Sequence, residues 1–230
     1  MSNPASLSGL EKITGVRFKN KDLLHQALTH RSALRERAKH GHNERLEFLG
    51  DAVLQLIATE YLYHLSDRPE GELTNWRSAL VQGDHLYEVA MEMKLGEYLT
   101  LSRGEDSSGG RMKKSNLANA VEAFIGALFL DQGLDEARAF IHRFILVHLK
   151  QLIAKGKHRD EKSVFQEIAQ EKTGLTPTYS LISESGPDHS KIFVSAVCIG
   201  EEKIATGEGN TKQKAEQEAA KAALKEKGWK

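Results

Sequence analysis

Three carboxylates recur within HNERLEFLGDAVL (residues 42–54): Glu44, Glu47 and Asp51. Spacing of i, i+3, i+7 puts them on one face of a helix, with Glu47 and Asp51 a single turn apart. Like charges at that separation repel, so the stripe lowers stability unless something uses it. Leu46, Phe48, Leu49 and Val53 flank the acids, which sets the segment apart from a freely solvated helix. Oxygen donors gathered beside an apolar wall suit a hard cation such as Mg²⁺, which takes carboxylates and keeps several waters. A solvated acidic stripe is the competing reading, and spacing alone favours it. A second pair lies in SNLANAVEAFIGALFLD (115–131), where Asn119 and Glu122 are i, i+3 on a helix that is apolar over most of its surface. A glutamate there needs a partner or a metal. Asn119 offers a neutral carbonyl oxygen as a further ligand; a paired core carboxylate is the alternative for Glu122.

A different chemistry is suggested near the end of the chain. Gly207, Glu208, Gly209 and Asn210 are followed by Thr211, Lys212 and Lys214, which open a helix. Free N–H groups at a helix N-terminus, joined by lysines, make an anion site. A plain strand-to-helix turn is the alternative. Arg103, Arg111, Lys113 and Lys114 flank a Gly/Ser-rich stretch and are candidates for phosphate contact or for solvated loop charge.

The elements that must position these groups divide the chain in two. Residues 1–153 carry helical periodicity over Asn43–Tyr63, Gly71–Leu95, Ser115–Leu130 and Leu134–Ile153, with SRGEDSSGG (102–110) as a loop by composition. AKGKHRD (154–160) reads as a short polar linker. Residues 161–230 change pattern: a helix over Lys162–Lys172, strands over Thr178–Ser185, Lys191–Ile199 and Ile204–Gly209, then a helix over Lys212–Lys227. The expected fold is therefore an all-α domain followed by an α+β domain ordered α-β-β-β-α.

Composition sets further bounds. Lys and Arg total 32 and Asp and Glu total 32, so the net charge is zero, which argues against a polybasic coat for nucleic acid without excluding nucleic-acid binding. Residues 160–230 hold ten basic against twelve acidic side chains, so any grip on phosphate there must come from a few placed groups. One cysteine, Cys198, excludes an internal disulfide and a cysteine-based zinc site. No run approaches 18 apolar residues, and the first residues lack the pattern of a secretion signal, so the expected location is the cytoplasm without membrane contact.

HNERLEFLGDAVL strongly resembles the signature helix of bacterial ribonuclease III. ALTHRS (27–32), EGELT (70–74), RSALV (77–81) and GGRMKKSNLANAVEAFIGALFLD (109–131) follow in that family's order, and the α-β-β-β-α tail resembles its double-stranded-RNA-binding domain. The resemblance implies a nuclease domain over 1–153, a linker over 154–160 and an RNA-binding domain over 161–230. It also implies a homodimeric, Mg²⁺-dependent endoribonuclease, with Mn²⁺ as an alternative ion. Such enzymes process ribosomal and messenger RNA precursors, cutting double-stranded RNA to 5′-phosphate and 3′-hydroxyl ends with two-nucleotide 3′ overhangs. Carried over by position, Glu47, Asp51, Asn119 and Glu122 are the metal-site residues, with Asp51 and Glu122 catalytic. Glu44 and Glu70 are further acids of the catalytic valley, and Phe48 packs into the partner subunit. Gln166, Glu167, His189, Asn210, Thr211, Lys212 and Lys214 are the RNA contacts, in a domain that spans about 16 base pairs and reads A-form shape.

One metal-site position departs from the family pattern, and Gln213 stands between Lys212 and Lys214 where that family often has a further basic residue. Asn119 stands where that family usually has aspartate, which removes one negative charge from the site. Two outcomes follow: cleavage retained with an amide ligand, or a protein that binds double-stranded RNA with weak or no cleavage.

Overall fold

The computed structural model describes residues 5–35, 41–154, 161–187 and 190–229. The chain divides into two units, Met1–His158 and Arg159–Lys230. Residues 155–160 of the expected linker lie outside the described residues, as does His189.

In the first unit the described elements are helical: α1 (Leu7–Thr14), α2 (Lys21–Ala27), α3 (Glu44–Leu65), α4 (Glu70–Val81), α5 (Gly83–Glu92), α6 (Arg103–Ser107), α7 (Lys114–Gln132), α8 (Leu134–Phe144) and α9 (Leu149–Ala154). The apolar all-round sequence of α7 is explained by its place at the centre, where Leu117, Val121, Phe124, Ile125 and Leu128 are buried. Helix α3 lies directly against it. At their crossing a Cβ on Gly50 would sit 1.8 Å from the Glu122 carbonyl oxygen, and one on Gly126 would sit 2.2 Å from that of Leu46. Only glycine permits so close an approach of two backbones. Around this pair, Leu54, Ile57, Leu80, Leu86, Val89 and Phe140 complete one apolar core.

Two expected helices are each split. The segment predicted as Gly71–Leu95 breaks at Gln82, whose ψ of 148° is extended, and Gly83 opens the next helix. The segment predicted as Leu134–Ile153 breaks at Ile145 and passes through a 3₁₀ turn at Leu146–His148 before α9. Hydrophobic periodicity continues through both breaks because both halves face the same core. The stretch 102–110, expected as a loop, instead holds α6 and enters a 3₁₀ turn at Gly110–Met112. Ser102 caps α6 by accepting from the Glu105 amide, and Arg111 ties the turn down by donating to Asp106 and to the carbonyls of Gly96 and Leu99. Arg111 is therefore an internal anchor, and Lys114 is paired with Asp84 at 2.9 Å.

In the second unit α10 (Glu161–Thr173) precedes an antiparallel sheet of β1 (Thr178–Ser185), β2 (Ile192–Ile199) and β3 (Glu202–Gly209), in that order, and α11 (Lys212–Glu226) follows. Tyr179 pairs with Val197 and Val197 with Ala205, while the register shifts between Leu181 and Ser183. Both helices cover one sheet face, burying Phe165, Ala169, Val197, Ala219, Ala220 and Ala223. Trp229 closes that core by stacking on Phe165 at 5.6 Å between ring centroids. The alanine face of α11 allows close approach to β3, where a Cβ on Gly207 would fall 2.0 Å from the Ala219 amide nitrogen. Gly207 and Gly209 therefore serve helix–sheet packing.

Candidate active site and RNA-binding surface

Glu47 and Asp51 leave α3 on either side of Gly50, and Asn119 and Glu122 leave α7 where the two helices touch. The helix crossing thus converts two sequence-distant pairs into one group. Electrostatics report the convergence. Burial, joined by the charges of Asp51 and Glu47, pushes the Glu122 carboxyl up to about 7. Burial also raises Glu47, with Glu44 and Asp51 adding to the effect and a hydrogen bond from Asn119 opposing it. Since a carboxylate only accepts, the Asn119 amide NH₂ donates and its carbonyl oxygen is left for another partner. Asp51 accepts from Gln55 Nε2 through both oxygens at 3.1 Å. Gln55, one turn along α3, was not identified from sequence, although its i+4 relation to Asp51 was a usable signal.

Glu44 heads α3 and is exposed; Arg31 lies 3.2 Å and His42 Nδ1 3.6 Å from its carboxylate. Glu70 starts α4, away from this group: its carboxylate accepts from Thr74 at 3.2 Å beside a cleft lined by Tyr63, Leu73 and Arg77. Within a single chain the structure brings Glu44, Glu47, Asp51, Asn119 and Glu122 together and leaves Glu70 apart. Among the described residues no three His, Cys, Asp or Glu side chains are gathered closely enough to enclose a metal ion as they stand. The donor set nonetheless fits a hard divalent cation. It offers carboxylates and one amide oxygen, and two of its carboxyls, Glu122 and Glu47, are raised by burial and by the charge of neighbouring carboxylates.

Phe48 projects from α3 with 81% of its surface exposed, and Leu56 and Tyr63 on the same helix are exposed at 57% and 73%. A cavity of about 640 Å³ beside Phe48 is lined by Leu23, Leu46, Leu49 and Leu130.

In the second unit, Thr211 caps α11 by accepting from the Lys214 amide at 3.1 Å. No acidic residue occupies the first turn, so Lys212 and Lys214 stand at the positive end of the helix. The Lys214 ammonium lies 3.1 Å from Glu218, one turn on. Asn210, Gln166 and Glu167 are exposed, the last two at consecutive positions of α10.

Comparison with known proteins meets this geometry at both units. The ribonuclease-III-like family model matches residues 20–149, and the double-stranded RNA binding motif model matches residues 161–227. The chain belongs to the ribonuclease III family. It is 45% identical over 223 residues to Ribonuclease 3 of Dehalococcoides mccartyi, covering 96% of this chain and 94% of that protein. It is 46% identical to Ribonuclease 3 of Carboxydothermus hydrogenoformans, over 95% of this chain and 94% of the other. Among solved structures, the ribonuclease III nuclease domain from Campylobacter jejuni aligns with a TM-score of 0.57 and 41% identity, over 61% of this chain and 96% of that one. Family membership makes this chain an endoribonuclease of double-stranded RNA with a dedicated RNA-binding motif. No described helix is long and apolar enough to cross a membrane.

Proposed function

We propose that the chain cuts double-stranded RNA at the group formed by Glu47, Asp51, Asn119 and Glu122, in a Mg²⁺-dependent reaction. The observation that carries this reading is the convergence of three carboxylates at the α3–α7 crossing, where burial and the charges of Asp51 and Glu47 push Glu122 up to about 7. Those four residues would hold Mg²⁺ or Mn²⁺, which, when bound, activates water and offsets charge developing on the phosphate. Each residue has its own task. Glu122 and Glu47 supply charge within a partly apolar wall. Asp51, which accepts from Gln55, would be a ligand through the same carboxylate. Asn119 holds Glu47 through its NH₂ and presents its carbonyl oxygen. Phe48 is the anchor of a homodimer, seated in the apolar cavity of the second copy; the Campylobacter jejuni structure is described for flexibility in a region involved in dimer formation. The second unit grips the duplex through Lys212, Lys214 and the α11 N-terminus, with Asn210 and Thr211 beside them and Gln166 and Glu167 reaching the minor groove. The proposed organisation is a nuclease domain over 1–153, a linker over 154–160 and an RNA-binding domain over 161–230.

A second reading, binding without cleavage, is favoured by one observation: Asn119 replaces a charge with an amide already engaged by Glu47. One incubation of end-labelled duplex RNA with Mg²⁺, and another with Ca²⁺, separates the two. Expected are products with 5′-phosphate and 3′-hydroxyl ends and two-nucleotide 3′ overhangs in Mg²⁺. A mobility shift without products at any Mg²⁺ concentration refutes cleavage and leaves the binding reading.

A further inference from the structure

Beside the carboxylate group lies a second feature that metal binding does not use. A polar cavity of about 490 Å³ is lined by His30, Arg31, Asn43, Lys113, Ser115 and Asn116, and opens onto Glu44, Glu47 and Asn119. It sits where two long helices begin, the 22-residue α3 and the 19-residue α7, and neither has a side chain capping its first amides. The α7 N-terminus, with no acid in its first turn, presents its positive end to the cavity, whereas the α3 N-terminus already carries Glu44 and Glu47. Arg31 and Lys113 add two cations whose side chains are 70% and 61% exposed, each beside one acid, Glu44 at 3.2 Å and Glu105 at 3.9 Å. The acids on its walls already have partners: Glu44 pairs with Arg31 at 3.2 Å, and Glu47 accepts from the Asn119 amide. His30 Nδ1 accepts from the Ser32 amide, so in the neutral ring the proton sits on Nε2 and the imidazole is a donor.

We propose that this cavity is a phosphodiester subsite, in which Arg31 and Lys113 hold a phosphate of the RNA strand neighbouring the one cut at the carboxylate group. The inference rests on the cleavage reading above and assigns positioning residues to it. Arg31 is suited to the task because a guanidinium offers paired donors to two phosphate oxygens, and Glu44 tethers it without burying it. Lys113 acts from the opposite wall as a point charge. A cation pair placed one phosphate away from the reacting bond fixes register along the backbone and carries no base preference.

The test is a chemical double-mutant cycle. Duplex RNAs carry one charge-neutral methylphosphonate each, at successive phosphates flanking the cut bond. Cleavage is measured in Mg²⁺, and affinity is measured in Ca²⁺. For the unsubstituted chain, neutralising one flanking phosphate is expected to slow cleavage and weaken binding by about tenfold or more. Arg31→Ala should weaken all-phosphate RNA by a similar factor and be indifferent to the methylphosphonate at that one position. Lys113→Ala should show the same pattern more weakly, and Arg31→Lys should recover part of the loss. Calorimetric Mg²⁺ affinity should stay within about twofold in Arg31→Ala. The proposal is overturned if Arg31→Ala keeps the full methylphosphonate penalty at every position, or if it binds and cuts within about twofold of the parent. If Glu47→Gln instead leaves Mg²⁺ affinity unchanged, the metal-site reading fails while the cycle still decides on Arg31.

Discussion

Replacing Glu122 by glutamine should stabilise the metal-free protein at alkaline pH while abolishing cleavage. Glu122 is pushed from an ordinary 4.5 to about 7 by burial and by the charges of Asp51 and Glu47. At about 1.4 kcal/mol per tenfold, that corresponds to roughly 3 kcal/mol against the charged form. Partial solvent access reduces the measurable part to about 2 kcal/mol. The sign follows from proton linkage. Below pH 4.5 the group is protonated in both folded and unfolded chains, and the stability associated with this site is complete. Between 4.5 and about 7 the unfolded chain releases its proton while the folded one keeps it, so stability falls as pH rises, and above about 7 the whole cost is present. Glutamine does not titrate, so the difference between the two proteins isolates this site. Thermal unfolding followed by circular dichroism, in EDTA at fixed protein concentration, should give nearly equal transitions at pH 5. At pH 8 the Glu122→Gln protein should melt roughly 4–8 °C higher, taking about 2–4 °C per kcal/mol for a unit of this size. Adding Mg²⁺ should raise the parent's transition more than the variant's, because a ligand of the native state stabilises by mass action. A variant no more stable than the parent at pH 8, with the same pH slope, would refute the claim that three carboxylates crowd one another at this crossing.

Further outcomes are expected. Asn119→Asp restores a fourth carboxylate and should lower the Mg²⁺ concentration for half-maximal cleavage several-fold; an unchanged titration would mean that the amide is a full substitute. Gly126→Ala would place a methyl 2.2 Å from the Leu46 carbonyl oxygen, so the helices must separate; a stability loss of about 3 kcal/mol in urea titrations is expected. Lys214→Ala should weaken duplex binding and reduce the salt slope of log affinity by about one, whereas Glu218→Gln, which frees Lys214 from its neighbour, should strengthen binding. Phe48→Asp should shift sedimentation toward monomer at micromolar concentration, and an unchanged dimer would displace Phe48 from the interface.

Much of this was legible in the residues themselves. The i, i+3, i+7 acids of α3 and the Asn119–Glu122 pair of α7 announce one-sided faces, because helical periodicity is local and needs no tertiary information. The switch from helical to alternating pattern after residue 160 likewise marks the β strands. What sequence did not disclose depends on contacts between distant segments. Gly50 and Gly126 look like ordinary helix-weakening residues until their carbonyl neighbours are seen. Gly207 and Gly209 lead into a candidate anion site or a plain strand-to-helix turn, and the structure places them beneath α11. Arg111 seemed available to RNA, whereas it holds three internal acceptors. Glu44 lies beside the other acids, and its pairing with Arg31, thirteen residues earlier, could not be read from spacing.

The glycine crossing of α3 and α7 also bears on how this site can be altered. Because the backbones themselves touch at Gly50 and Gly126, the interval between the donors of one helix and those of the other is set by main-chain atoms, not by replaceable side chains. For the proposed metal group, a change of ion preference would therefore come from exchanging donor groups, as at position 119. Core substitutions elsewhere can shift the melting temperature of the domain while this interval stays constant.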